Sequence, residues 1–135
     1  MNLSGNAFLL YAIIGAVISV YVPFVAVGYA RFKLGYDKSA PRAMFDKLPP
    51  YAQRATWAHQ NSFEALSVFT PAALMAYITG VESNLAAIAA IGFVIVRLLY
   101  SLFYILDIPT LRSLMFGLGS LSIVTLFVLS LGQIN

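Results

Sequence analysis

Polar side chains recur at helical spacing in two segments of this otherwise apolar chain. One set follows the spacing i, i+3, i+7 and i+10 and comprises Arg54, Trp57, Asn61 and Glu64. The other follows the spacing i, i+3 and i+7 and comprises Arg97, Tyr100 and Tyr104. Each spacing places its members on one face of an α-helix. Guanidinium, amide, carboxylate and phenol groups that converge in this way could bind an anionic ligand or form charge-assisted hydrogen bonds.

Two of these residues, Glu64 and Arg97, carry charge inside apolar segments, where an unpaired charge costs several kcal/mol. At about 1.5 Å of rise per residue, Glu64 lies ~22 Å from the end of its helix near residue 79, and Arg97 lies ~20 Å from the start of its helix at residue 84. This equal depth on consecutive antiparallel helices predicts an intramembrane ion pair or charge-assisted hydrogen bond between them. Its role is either structural, fixing the rotation of the two helices, or catalytic.

The composition excludes several classes of protein. Of 135 residues, 61% are hydrophobic and only 10% are charged, whereas a soluble domain carries about 25% charged residues. Most of the surface must therefore face something other than water, which excludes a soluble enzyme, a disordered chain and a nucleic-acid-binding protein. Without cysteine, and with a single histidine, the chain offers no disulfide, thiolate nucleophile or evident metal site.

Four apolar segments predict an all-α integral membrane protein, a four-transmembrane-helix bundle that forms a single domain over residues 1–135. The predicted spans are residues 7–30, 55–79, 84–106 and 111–132. The first has no charged residue and is about 36 Å long as a helix, which is enough to cross a hydrocarbon core of about 30 Å. Turn-forming residues separate the spans, and no strand alternation or further domain is expected.

Basic residues are concentrated between the first and second spans. They are Arg31, Lys33, Lys38, Arg42, Lys47 and Arg54, against Asp37 and Asp46. The positive-inside rule therefore predicts that this loop is cytoplasmic, with both termini on the opposite side. The same cluster accounts for the net charge of +3 without a nucleic-acid partner, and it could attract an anionic lipid or ligand. A multi-pass protein of a bacterial inner membrane, or a related internal membrane, is the expectation.

Arg31 and Arg112 stand at the predicted cytoplasmic ends of the first and fourth spans. Together with the two polar faces, they predict a cavity that opens to the cytoplasm and narrows toward mid-membrane. The alternative is that the tyrosines anchor the helices at the interface and the arginines extend to the headgroups. His59, two positions before Asn61, is expected to point away from the polar face, toward the interface or a loop.

Two runs carry a family resemblance. They are Arg54-Ala-Thr-Trp-Ala-His-Gln-Asn61-Ser-Phe-Glu64, and Arg97-Leu-Leu-Tyr100-Ser-Leu-Phe-Tyr104 followed by Pro109-Thr-Leu-Arg112-Ser113. They resemble the second-helix motif and the third-to-fourth-helix motif of the MAPEG family, the membrane-associated proteins in eicosanoid and glutathione metabolism. The resemblance covers nearly the whole chain.

The resemblance implies a homotrimer with glutathione, a co-substrate, held between neighbouring subunits near the cytoplasmic face. The implied glutathione-binding residues are Arg31, Arg54, Asn61, Glu64, Tyr100, Tyr104 and Ser113. Arg112 is implied as the catalytic residue, because a guanidinium stays charged at any relevant pH and lowers the pKa of a thiol beside it. The thiolate could then attack a lipophilic electrophile or reduce a lipid hydroperoxide.

Three positions depart from the family pattern. Trp57 stands where catalytic relatives usually carry an arginine that grips glutathione, Gln60 where some members carry another basic residue, and Phe116 where some carry a tyrosine. Losing a well-formed arginine contact could cost about 1.5–3 kcal/mol of binding free energy.

Two interpretations of the function therefore stay open. One is a glutathione-dependent membrane transferase or peroxidase, and the other is a non-catalytic binding or accessory subunit of a larger membrane assembly, with lipid and other membrane proteins as partners. A small transporter or channel has only the embedded charge pair in its favour.

Overall fold

The computed structural model describes residues 6–135, and this part of the chain is helical with no strand. It contains four long helices in the order α1 (Phe8–Leu34), α2 (Pro50–Ile78), α3 (Asn84–Ile105) and α4 (Pro109–Ile134). A short 3₁₀ helix, Pro41–Lys47, lies in the loop between α1 and α2. The all-helical architecture predicted from the sequence is confirmed for the described residues.

Local sequence signals mark the ends of the helices. Gly35 follows α1 with a φ of +66°, a conformation that glycine adopts at little cost. The Ser83 hydroxyl caps α3 by accepting a hydrogen bond from the backbone N–H of Ala86 at 3.1 Å. Prolines stand in the first turns of α2 and α4, where the missing N–H costs nothing. The helices end in the predicted turn regions, but α1 continues to Leu34 and α2 begins at Pro50, beyond the predicted bounds.

Three of the helices, α1, α3 and α4, are long and apolar enough to cross a membrane. Their length and composition indicate an integral membrane protein. Helix α2 has 29 residues, ample for a span, but its first half carries the polar residues that the sequence analysis singled out. Because α2 does not share the apolar character of the others, the predicted count of four spans stays a prediction.

Consecutive helices pack antiparallel. The Asn6 side-chain amide donates to the carbonyl of Tyr77 at 3.0 Å, so the start of α1 lies beside the end of α2. Arg54 Nε donates to the carbonyl of Ile105 at 3.0 Å, so the start of α2 lies beside the end of α3. The polar N-terminal half of α2 is thereby placed next to the C-terminal half of α3, where Arg97 and the two tyrosines lie.

Small residues and one aromatic pair build the main core. The rings of Phe69 and Phe93 stack in parallel with their centroids 3.9 Å apart, and Gly119 of α4 lies against Phe93. Small side chains let helix backbones approach closely, which is how helices associate in lipid. The other buried core residues are Leu9, Ala12, Ala16, Ala72, Ala73, Ala76, Val81, Ala86, Ala89, Ala90 and Leu126.

The close approach of α1 to α3 predicts a position-specific effect of added volume. A Cβ at Gly15 would lie 3.2 Å from Val94 Cγ1, so we expect Gly15→Val to lower the free energy of unfolding by about 1–3 kcal/mol through overpacking. Gly28→Val makes the same change on the same helix, where a Cβ meets nothing within 4 Å, and serves as the matched control. Thermal unfolding in detergent measures both variants, and equal midpoints would contradict this packing.

Candidate functional site

Arg97 is the buried charge around which the polar residues assemble. Its side chain is only 2% exposed, and its guanidinium Nη2 donates to Asn61 Oδ1 at 2.9 Å and to Ser62 Oγ at 3.1 Å. Its Cζ also lies 4.0 Å from the ring centroid of Tyr100, which gives a cation–π contact. The guanidinium is therefore held by neutral groups of α2 and by one aromatic ring of its own helix, while its Nε is buried without a hydrogen-bond partner among the described residues.

The direct ion pair predicted between Glu64 and Arg97 is not formed. Asn61 lies between the two charges, and its amide Nδ2 is 3.5 Å from Glu64 Oε2, a long contact. Within residues 6–135 the one side-chain ion pair joins Arg54 and Asp107, at 3.9 Å. Arg97 is level with Asn61 and Ser62, about one turn from Glu64 along α2, so the predicted depth was slightly in error. One helical turn is enough to replace the carboxylate by an amide.

A column of rings and guanidinium groups continues from Arg97 toward the end of α3. The rings of Tyr100 and Tyr104 meet edge to face with centroids 5.6 Å apart, and Arg112 Cζ lies 4.5 Å from the ring centroid of Tyr104. Asp107, with a φ of +61°, lies in the tight turn that brings the first turn of α4 back over Tyr104. The predicted convergence of Arg97, Tyr100, Tyr104 and Arg112 is therefore present in the structure.

Trp57 borders this column on the side of α2. Its ring centroid lies 6.4 Å from that of Tyr104 and 5.6 Å from that of Phe45 in the 3₁₀ helix. The indole side chain is nonetheless 43% exposed, so it offers an open aromatic surface close to Arg112. The sequence analysis placed Trp57 on this face but did not identify Phe45, which has no periodic signal because it lies in a loop.

Arg54 and Ser113 have different surroundings from those of the column. Arg54 donates to the last-turn carbonyl of Ile105 and faces Asp107, so it caps the C-terminus of α3. Ser113 is exposed beside Arg112, and over the described residues its hydroxyl has no protein hydrogen-bond partner.

Ser62, which accepts a hydrogen bond from Arg97, was missed by the sequence analysis because a helical serine adjacent to Asn61 carries no distinguishing pattern.

A cavity of about 370 Å³ opens beside the Arg97 network, between α2, α3 and α4. We call it the mid-membrane cavity, after the depth that the sequence analysis predicts for Arg97. Its polar edge is formed by Asn61, Glu64 and Arg97, and Ser120 adds a hydroxyl from α4. The remaining wall is apolar and consists of Ala65, Val68, Phe93, Phe116, Gly119, Ile123 and Val124. Of the residues predicted to line a single cavity, this one brings together Asn61, Glu64 and Arg97, whereas Tyr100, Tyr104 and Arg112 do not line it.

Arg31 does not join the other predicted site residues within one chain. Together with His59 and Gln60, it lines a second, partly open cavity between α1, the 3₁₀ helix and α2. We call it the α1–α2 cavity. His59 was expected to point toward the interface or a loop, but it packs against α1, where its Nδ1 is 2.6 Å from the carbonyl oxygen of Val20. The expectation that Arg31 and Arg112 open into one cavity is wrong for a single chain, because they lie on opposite sides of α2.

The model of the MAPEG family matches residues 8–132 of the chain. No curated protein and no solved structure matches it.

The contacts of Arg97 predict which neighbour stabilises it. Asn61→Leu removes its shorter hydrogen-bond acceptor inside the bundle, so we expect a loss of about 1–3 kcal/mol in the free energy of unfolding. Glu64→Gln should have a much smaller effect, because Glu64 is exposed and not in direct contact with the guanidinium. Thermal unfolding of both variants in detergent measures the two losses of stability. A larger loss for Glu64→Gln than for Asn61→Leu would support the direct ion pair between Glu64 and Arg97.

Proposed function

The chain belongs to the MAPEG family, and on this premise we propose that it is a membrane protein that binds glutathione and activates the glutathione thiol against lipophilic substrates. The observation that carries the proposal is the position of Arg112. Its guanidinium lies over Tyr104, is partly buried, and has no carboxylate within 4.0 Å among the described residues. A fixed positive charge without a protein counter-ion is what stabilises a bound thiolate.

The chemistry assigned to this site is nucleophilic attack by sulfur. The thiol proton leaves to water at the membrane boundary, and the thiolate forms a carbon–sulfur bond as the leaving group departs from an electrophile. With a lipid hydroperoxide, sulfur attacks the terminal oxygen, the oxygen–oxygen bond breaks, and an alcohol and a sulfenic acid form. A second glutathione then yields the disulfide and water. Arg112 stabilises the anionic sulfur in both reactions.

Other residues of the site suit the remaining groups of the tripeptide. Glu64 is exposed on the surface of the chain next to Asn61, and its carboxylate suits the ammonium group of the γ-glutamyl end. The phenol of Tyr104 lies beside Arg112, where it could donate a hydrogen bond to the ligand. The mid-membrane cavity is largely apolar, has Asn61 and Glu64 at its edge, and includes Phe116, about one turn after Arg112 on α4. It is the proposed site of the lipophilic co-substrate.

A homotrimer with the ligand between subunits fits the division of the charged residues. Arg31 and Arg112 lie on opposite sides of α2, so no ligand in one chain would contact both. A neighbouring subunit can bring its own Arg31 to the site of Arg112. The exposed Glu64 supports this arrangement, because a carboxylate in a membrane-spanning segment needs a polar partner or cover.

A second candidate function is a non-catalytic binding or accessory subunit, and Trp57 is the observation that favours it. Its exposed ring, packed between Phe45 and Tyr104, occupies the position where the family resemblance places an arginine for glutathione. An aromatic surface beside Arg112 suits a planar or lipid ligand at least as well as a peptide carboxylate.

A titration separates the two candidates. We expect glutathione added to the purified protein at neutral pH to produce the ultraviolet absorbance of a thiolate, and Arg112→Ala to abolish it because the stabilising charge is gone. Lys38→Ala, which removes one exposed charge from the first loop, is the control and should retain the signal. Absence of glutathione binding to the wild type at millimolar concentration would instead support the accessory role.

The proposed architecture has four spans with the first loop on the cytoplasmic side, in a bacterial inner membrane or a related internal membrane. Because the chain has no cysteine, single variants report topology without background labelling. We expect Lys38→Cys and Glu82→Cys to react with a membrane-impermeant maleimide from opposite sides, since α2 separates them. Labelling of both from the same side would show that α2 does not cross the membrane.

A further inference from the structure

The α1–α2 cavity is the larger of the two cavities described above, with a volume of about 760 Å³. This is within the range of small-molecule sites. Its floor is aromatic and apolar, and its polar lining includes Arg31 from the last turns of α1, Arg42 from the 3₁₀ helix, and His59 and Gln60 from α2. Neither Arg42 nor the 3₁₀ helix belongs to the site that the sequence motifs indicate.

The charges of this cavity are of one sign. Two guanidinium groups and an imidazole line it, and no aspartate or glutamate does. Within the described part of the chain, neither Arg31 nor Arg42 has a carboxylate within 4.0 Å. Arg31 Nε is moreover buried without a hydrogen-bond partner, and a buried donor left without an acceptor is costly. The lining is therefore suited to bind an anion with several acceptor oxygens.

Both arginines are presented by ordered elements. The Arg31 guanidinium lies 5.6 Å from the ring centroid of Phe24, and that ring packs on His59 at 4.9 Å. His59 is in turn tied to the backbone of α1 through its contact with the Val20 carbonyl.

The 3₁₀ helix that carries Arg42 is fixed equally well. Pro41 begins the helix, Met44 is buried beneath it, and Gln53 Nε2 donates to the carbonyl of Phe45 at 3.2 Å. The backbone positions of both arginines are therefore fixed at the rim of one cavity, where two guanidinium groups can bind a planar carboxylate.

We propose that Arg42 is a glutathione-binding residue which, with Arg31, forms a two-guanidinium pocket for the glycine carboxylate of the tripeptide. This rests on the proposed function, in which Arg31 serves a ligand whose thiol lies at Arg112 of a neighbouring subunit. Glu64 takes the ammonium at the γ-glutamyl end of glutathione. The glycine carboxylate, at the far end of the tripeptide, is the group that reaches the α1–α2 cavity.

The test combines a residue change with a matched change in the ligand. Glutathione and its glycine monoethyl ester, which lacks that carboxylate charge, are titrated calorimetrically into wild type and Arg42→Gln in detergent. We expect Arg42→Gln to raise the Kd for glutathione about tenfold, as for the loss of one charge-assisted hydrogen bond. The ester should bind more weakly to the wild type, and its Kd should not change in the variant.

Lys47→Gln provides the control for general electrostatics, because Lys47 is an exposed cation of the same 3₁₀ helix that does not line the cavity. It should leave both Kd values unchanged. Arg42 is itself exposed, so the thermal unfolding midpoint of Arg42→Gln should match that of the wild type. Arg42→Lys keeps the positive charge and should therefore retain part of the affinity for glutathione.

The possible results separate the two proposals. Glutathione binding that is equally affected by Arg42→Gln and Lys47→Gln, or an ester that loses affinity in Arg42→Gln as glutathione does, would overturn the role of Arg42 and leave the proposed function standing. A wild type that binds neither ligand would overturn both.

Discussion

The burial of one guanidinium in an apolar helical bundle is the constraint on which the arrangement of this protein depends. Arg97 is shielded from lipid and water alike, and a cation in that position must find partners or destabilise the fold. Asn61 and Ser62 supply oxygen atoms from α2, and Tyr100 supplies a ring from α3. Because these contacts require one rotation of α2 against α3, they also decide which way every other side chain of α2 faces.

That rotation divides the cations at the end of the bundle where α2 begins between two sides of α2. Toward α3 lies the column that ends at Arg112, and toward α1 lies the cavity that contains Arg31 and His59. Arg112 is thereby kept apart from Arg31 within one chain. The same separation is why the proposed ligand site is composite and why an assembly of several copies supports the proposed function better than a monomer does.

The departures of this chain from the family pattern also have a structural context. Trp57 takes part in an aromatic cluster with Phe45 and Tyr104, so packing accommodates a tryptophan where the resemblance implies an arginine. The α1–α2 cavity offers guanidinium groups elsewhere, which would compensate for the lost charge if the carboxylate of the ligand is bound there.

Much of this protein follows from its sequence alone. Hydropathy and helical spacing determined the helices and the lipid-facing character, and the i, i+3, i+7 pattern determined that Arg97, Tyr100 and Tyr104 share a face, because these depend on local geometry that any α-helix has. The partner of Arg97, the capping role of Arg54, the entry of Phe45 into the cluster and the separation of Arg31 from Arg112 were decided only by the tertiary structure. Each depends on the relative shift and rotation of neighbouring helices or on the path of a loop. A displacement of one turn, which no single-helix pattern encodes, is enough to put an amide where a carboxylate was expected.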